Sequence, residues 1–181
     1  PYGVVVAVGG EPAALDIEGL DSKKLVGYED ILSEKLDFAD KNILVIGGGE
    51  TGLETGEFLV DRNNKVTIVE MLDEVGKELE VSTKAMMLKR FEEKQIPILT
   101  KTTIKKVDQD SKEAILLNIE SKEEIEVDFD YIVSAIGVKN NPNYNKQFLE
   151  AFENTILIGD AHRPRNIVSA SREAYDKAFV F

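Results

Sequence analysis

The sequence predicts an α/β fold: a parallel sheet with helices on both faces, followed by an antiparallel β-meander. Three observations predict it. Residues 43–46 (Ile-Leu-Val-Ile) are a short run of continuous rather than alternating apolar character, as expected of a strand buried on both faces, and residues 65–70 (Lys-Val-Thr-Ile-Val-Glu) read as the next strand. The glycines at 47–49 end the first run and open a helical stretch at 50–60, which gives strand, helix, strand in order. Beyond residue 100 the pattern changes to short strands joined by tight polar turns, the signature of a small appended sheet.

Each element follows in turn. The run at 4–8 reads as a strand buried on both faces, stopped by Gly9, Gly10 and Pro12. Residues 11–40 are polar and mixed, with an apolar patch at 25–26 and a helical turn around 28–35. In the helix at 50–60, Gly52 and Gly56 fall on one side. Each costs about 0.5–1 kcal/mol relative to Ala, and close packing on a sheet offsets that cost. Asn63 and Asn64 form the turn that ends this helix. Residues 71–82 are acidic and irregular. A second helix spans 82–94, with Ser82 or Thr83 as its cap and Ala85, Leu88 and Phe91 on an amphipathic face. Met86 and Met87 on it read as packing residues. A short strand at 97–100 follows. "TIKKVDQD", "EAILLNIES" and "EEIEVDFDYIVSAIG" then supply three or four meander strands with one wet face.

The 181 residues contain 22 Lys and Arg against 34 Asp and Glu, a formal charge of −12. Such a balance excludes a broad electrostatic grip on nucleic acid or an anionic membrane. An anion bound here must be held by backbone amides. With no cysteine there is no disulfide, thiolate metal site, iron–sulfur ligation or cysteine nucleophile. With one histidine, His162, there is no histidine metal site. No apolar run approaches the roughly 18 residues of a membrane span, and no signal peptide is visible, so the cytoplasm is the expected location. The chain opens on Pro1 directly into a strand-like run, which reads as a segment of a longer polypeptide.

Residues 4–12 and 131–142 resemble each other: a buried strand, Ala-x-Gly, then a proline. Either these are two unrelated strand ends, or the chain enters and leaves an inserted domain there. In the second case the insert is 13–139, and 1–12 with 140–181 belong to another domain.

Gly47, Gly49 and Gly52 form G-x-G-x-x-G after a strand and at the start of a helix. In that setting Gly47 permits the tight turn, Gly49 lets backbone approach a pyrophosphate, and Gly52 permits close helix–strand packing. The N–H groups of Glu50, Thr51 and Gly52 face the anion with the positive end of the helix dipole. Glu70 ends the next strand, 18 residues beyond Gly52. A carboxylate there accepts from adenosine ribose hydroxyls and repels a 2′-phosphate. No arginine follows in 71–76, so NAD(H) is expected over NADP(H). The competing readings are a purely structural strand–helix turn and a solvated strand-end carboxylate.

"NILVIGGGETGLETGEFL" and "KVTIVE" resemble the NAD(H)-binding domain of the pyridine nucleotide–disulfide oxidoreductase superfamily. "VTIVEMLDEVGKELE", "YIVSAIGVKNNP" and "ILIGDAHRPRNI" extend the likeness over nearly the whole chain, toward the C-terminal part of NADH:flavin oxidoreductases of the 2,4-dienoyl-CoA reductase and enoate reductase type. The resemblance implies a Rossmann-like NAD(H) domain at 13–139, with 1–12 and 140–181 as remnants of a split FAD-binding domain. It implies that hydride passes from NADH to the flavin of the parent enzyme. It places Glu54 toward the flavin–nicotinamide junction, Gly137 close to NADH and Asp160 at the flavin. The expected cofactor-binding residues are therefore Gly47, Gly48, Gly49, Glu50, Thr51, Gly52, Glu54, Glu70, Met71, Gly137 and Asp160, with no catalytic side chain and no metal ligand. FAD is expected in the full-length parent and not on this segment. The expected partners are a dinucleotide, the parent's FAD and catalytic domains, and a second copy of the chain.

Three departures from the family pattern stand out. The first crossing reads Ala7-Val8-Gly9 where Ala-Thr-Gly is usual, the first FAD glycine motif is absent, and so is the cysteine pair of the thioredoxin-reductase type. His162 with Arg163 and Arg165 reads as a solvated loop in preference to a cofactor-phosphate contact, and Tyr175 as the packing residue of a C-terminal helix. A non-enzymatic dinucleotide sensor or protein-interaction module is the alternative class, and "ILIGDAHRPRN" is a segment such a module does not need.

Overall fold

The computed structural model describes residues 2–21, 23–108 and 110–179. In chain order the strands and helices are β1 (Val4–Val6), β2 (Gly10–Pro12), β3 (Leu25–Gly27), α1 (Tyr28–Leu32), β4 (Asn42–Ile46), α2 (Glu50–Val60), β5 (Lys65–Val69), α3 (Val81–Glu93) and β6 (Ile98–Leu99). They continue as β7 (Thr102–Asp108), β8 (Glu113–Asn118), β9 (Glu124–Asp128), β10 (Tyr131–Ser134), β11 (Val138–Asn140), α4 (Pro142–Ala151), β12 (Thr155–Leu157), a 3-10 turn at Gly159–Ala161, and α5 (Ile167–Phe179). The chain divides into two compact units, Ala14–Gly137 and Pro1–Ala13 with Val138–Phe181. The smaller unit has six Lys/Arg and six Asp/Glu, so the excess of twelve acids lies wholly in the larger one.

The larger unit is built on a five-stranded parallel sheet in the order β3-β10-β4-β5-β6. Its continuous apolar strands serve two cores at once. Ile43, Val45, Val66, Ile68 and Val133 face one core with Ile31, Leu53, Leu59, Met87 and Phe91 from α1, α2 and α3. Leu44, Ile46, Val69 and Ile132 face the other, with Val107, Ala114, Leu116 and Phe129. The second face is thus covered by the antiparallel sheet β7-β8-β9. This corrects the expectation of helices on both faces, while the α/β class holds. The handedness of crossovers explains it. β3→α1→β4, β4→α2→β5 and β5→α3→β6 all step across the sheet in one direction, so right-handed connections put every helix on the same side. The return from β6 to β10 steps the other way and puts its connection, the meander, on the opposite side.

The fourth strand of the expected meander, β10, leaves it and becomes a central parallel strand between β3 and β4. The cap of α3 is Glu80, whose carboxylate accepts from the N–H groups of Ser82 (2.9 Å) and Thr83 (3.1 Å), two and three residues before the serine and threonine expected to cap it. Gly56 packs α2 onto the sheet: a Cβ there would lie 2.6 Å from Ile68 Cδ1.

In the smaller unit β1 pairs with β12 in parallel and β2 with β11 antiparallel. The expectation that residues 4–8 are buried on both faces fails here. Val6 is 2% exposed, but Val5 is 47% and Val8 43%. Apolar continuity reports two-sided burial only where layers lie on both sides, as around β4; β1 has a single neighbouring strand among the described residues. No residue of α5 is buried, and Tyr175 is 70% exposed.

Two carboxylates tie the larger unit together across long sequence distances. Glu57 on α2 receives Arg90 Nε (2.7 Å) and Nη2 (2.9 Å) from α3 and Lys94 Nζ (3.1 Å) from the residue that ends it. Asp130 receives the Asn42 N–H (3.1 Å) and Lys112 Nζ (3.0 Å). The Arg90 hydrogen bonds hold Glu57 below its ordinary 4.5, and the Asn42 amide with Lys112 does the same for Asp130. Depressed carboxyls stabilise the fold fully above their unfolded values, and that contribution is lost as pH falls through the lowered ones. The melting temperature is therefore expected to hold from pH 7 to about 5 and to fall below about 4.5. Glu57→Gln flattens part of that fall in circular dichroism melts.

Candidate functional site

The carboxyl ends of β4, β5 and β10 meet at one rim of the parallel sheet. Strand pairing carries on into the loops: Gly47 N–H donates to Val69 O (2.9 Å) and Ala135 N–H to Ile46 O (2.8 Å). Gly47 makes the turn at φ +111°, a region closed to most side chains, and a Cβ on it would sit 2.4 Å from Ala135 O. Gly48 is buried, and a Cβ there would strike Val75 Cγ1 at 2.4 Å. Gly52, in the first turn of α2, lies against the turn itself: its Cβ would be 1.9 Å from Gly47 O. Gly49 differs from all three. It is the cap residue of α2 in extended conformation, and a Cβ on it would meet nothing within 4 Å. The loop is packed tight beneath and open above.

Leu53 N–H makes the first bond of α2, to Gly49 O (3.0 Å). The N–H groups of Glu50, Thr51 and Gly52 precede it and have no intrahelical acceptor. They carry the positive end of the helix dipole. No side chain caps this end of α2.

Glu70 turns back onto the loop. Its Oε2 accepts from Gly48 N–H (2.6 Å) and its Oε1 from Leu72 N–H (2.7 Å). A carboxylate has about four acceptor positions, so two remain. The backbone of Glu70 is fixed as well, by Leu99 O and Thr102 N–H at 2.9 Å each. Next to it Met71 and Leu72 are 59% and 47% exposed, an apolar pair at the open edge of the rim.

The structure brings Gly47, Gly48, Gly49, Glu50, Thr51, Gly52 and Glu70 together in this way, with Met71 beside them. Glu54 is exposed one turn further along α2, and Gly137, at φ +100° with open space over its Cβ position, follows β10. Asp160 belongs to the other unit, in the turn Gly159–Ala161. Sequence reasoning passed over Val75 and Gly76. Val75 is buried under Gly48, and Gly76 N–H donates to Gly48 O (2.7 Å), so the acidic loop 71–80 folds back and clamps the glycine loop. A lone valine before a glycine in an acidic run was the available signal.

Around Asp160 the turn is held by side chains from three elements. Glu173 of α5 accepts from Gly159 N–H (2.9 Å) and pairs with the His162 ring. Asn145 of α4, 3% exposed, donates to Ala161 O, and Asn140 of β11 donates to His162 O (3.1 Å). His162, its side chain 48% accessible, is exposed like Arg163 and Arg165, as a solvated loop requires, and in addition its ring braces the turn through Glu173. Among the described residues no group of three or more acidic, histidine or cysteine residues is arranged to hold a metal ion, and no helix is long and apolar enough to cross a membrane.

A parallel sheet with a glycine turn feeding a helix, and an acid at the tip of the next strand, defines a Rossmann-like domain of the kind found in oxidoreductases. The chain belongs to the pyridine nucleotide-disulphide oxidoreductase family, whose model matches residues 3–167. It is 34% identical over 179 residues to a cinnamate reductase of Clostridium sporogenes, covering 97% of this chain and 26% of the relative. It is 31% identical to a bilirubin reductase of Mediterraneibacter gnavus (99% and 28%) and 29% identical to an NADH oxidase of Thermoanaerobacter brockii (99% and 28%). The chain therefore spans about a quarter of the length of these relatives. Among solved structures, a 2-naphthoyl-CoA reductase complex superposes with TM-score 0.83 over 97% of this chain and 26% of that one, at 22% identity. At 16% identity, the thioredoxin reductase of T. acidophilum gives 0.76 over 98% of this chain and 64% of that one. These structural likenesses speak for the fold.

Proposed function

We propose that the larger unit is the NADH-docking module of an FAD-dependent oxidoreductase, and that the smaller unit belongs to the flavin-binding domain of the same enzyme. The observation that carries this reading is the pairing of Gly48 and Glu70 at the start of α2. The loop is too crowded beneath for any side chain at 47, 48 or 52, and it is open above Gly49, the one place where a diphosphate needs backbone rather than a methyl group. Three amides and the helix dipole offer an anion site inside a unit that carries the chain's whole excess of negative charge. The two free acceptor positions of Glu70 match the 2′- and 3′-hydroxyls of an adenosine ribose.

In the parent enzyme, nicotinamide and flavin supply the hydride chemistry, and the protein contributes binding and orientation. In this reading the 47–52 loop holds the diphosphate, Glu70 sets the ribose, Met71 borders the adenine, and Gly137 and Glu54 line the path toward the nicotinamide. No side chain acts as acid, base or nucleophile. The names of the relatives, two reductases and an NADH oxidase, support this class of reaction, and in this reading the electron acceptor is bound by other parts of the parent enzyme.

Toward a flavin the chain offers Asp160 in its braced turn. Among the described residues of the smaller unit, no glycine-rich loop leads into a helix. The chain alone is expected to purify colourless, and calorimetric titration is expected to show NADH binding at least tenfold tighter than NADPH, the cost of placing a 2′-phosphate against Glu70 being about 1.4 kcal/mol or more. Stoichiometric flavin absorbance overturns the first expectation, and equal or tighter NADPH binding overturns the second.

A further inference from the structure

Behind the Glu70 segment lies a second layer. The turn between β6 and β7 is bonded to it: Lys101 N–H donates to Leu72 O (2.8 Å) and Thr102 N–H to Glu70 O (2.9 Å). Lys101 has a left-handed backbone, φ +50°, and its carbonyl accepts from Ile119 N–H (2.7 Å). These bonds fix the root of the Lys101 side chain directly under residues 70–72. Its ammonium group then pairs with Glu120, in the turn between β8 and β9. Glu120, with Asp73 adding to it, raises the Lys101 pKa above its ordinary value. Both partners are well exposed, the side chains being 42% and 68% accessible.

The loop after Glu70 is acidic at Asp73, Glu74 and Glu78; Lys84 pairs with Glu74 (2.7 Å) and Lys101 with Glu120, while Lys77 of the loop itself is exposed. A 2′-phosphate arriving at Glu70 meets carboxylates, with the Lys84 and Lys101 charges already taken up by Glu74 and Glu120. We propose that Glu120 is a specificity-determining residue for the adenosine end: by holding the Lys101 ammonium it withdraws that charge from the Glu70–Leu72 rim and adds to the discrimination against NADPH. This rests on the reading that the 47–52 loop and Glu70 bind NAD(H).

The pair is at the surface, so its effect is modest and salt-dependent. Glu120→Gln is expected to tighten NADPH about threefold at low ionic strength while leaving NADH within about 1.5-fold, both read by calorimetry on the chain, with NADPH measured by displacement of NADH. The gain should vanish in 0.5 M NaCl and in the double variant Glu120→Gln/Lys101→Met. Lys77, exposed and present in every variant, is a constant background. An unchanged NADPH-to-NADH ratio in Glu120→Gln, or a gain that survives loss of Lys101, overturns the inference and leaves the site reading intact. Absence of NADH binding by the unaltered chain overturns both.

Discussion

Gly52→Ala is expected to destabilise the larger unit by about 3 kcal/mol, near the top of the range for overpacking. Helix propensity acts in the opposite direction, since Ala in place of a helical Gly gains up to about 1 kcal/mol. The clash decides the sign. The new methyl would lie 1.9 Å from Gly47 O and 2.9 Å from Gly47 C, both backbone atoms. That backbone has little room to yield: Gly47 is held by its bond to Val69 O and closed in by Ala135. Gly49→Ala is the matched control. Its backbone, φ −69° and ψ −179°, suits any residue, and its Cβ meets nothing. Glycine is a better cap than alanine by about 0.5–1 kcal/mol, so Gly49→Ala is expected to stay within about 1 kcal/mol in urea denaturation, well short of the Gly52→Ala loss. It is nevertheless expected to weaken NADH at least tenfold, because the methyl fills the space the diphosphate approaches through. If Gly49→Ala binds NADH as the unaltered chain does, the diphosphate does not pass over Gly49.

These two glycines also mark what local sequence reports well. A strand end, a tight turn and a helix start are specified within six residues, so the loop and α2 at Glu50–Val60 were legible with their bounds. The meander was legible because its turns are polar and its strands alternate. Elements defined by their neighbours were not. β3 is three residues long, and it is a strand because β10 lies beside it. Residues 142–151 form α4 with a recognisable start, Asn141 capping Tyr144 N–H and Pro142 in the first turn. Read from the strand before it, that proline had the look of a terminator only. The side of the sheet on which each helix packs follows from the direction of crossovers, a property of strand order that no local pattern carries. The clamp of Val75 and Gly76 on Gly48, and the brace of Asn140, Asn145 and Glu173 around Asp160, join residues far apart in the chain, so burial and bonding reveal them where spacing does not.

Replacing Glu70 by Gln should weaken NADH by one to two powers of ten, since hydrogen bonds to a charged group are worth about 1.5–3 kcal/mol. The result needs careful reading, because Glu70 has two tasks. It accepts the Gly48 and Leu72 amides, and a glutamine can accept only one of these while turning an NH2 toward the other donor. With Gly48 buried, the loop itself pays about 1–3 kcal/mol for an amide left without an acceptor. Lower stability and weaker NADH would therefore follow even if the carboxylate only held the loop together. The affinity ratio separates the two roles. A carboxylate that merely shapes the loop affects NADH and NADPH alike, so Glu70→Gln would weaken both equally and leave the ratio unchanged. A carboxylate that faces the ribose also repels a 2′-phosphate, and removing its charge relieves NADPH alone. The expected outcome is thus a smaller loss for NADPH than for NADH, narrowing the ratio about tenfold, or about 1.4 kcal/mol. High salt shrinks that difference by screening but leaves the loss of NADH affinity largely in place, because the bonds to the ribose are short-range.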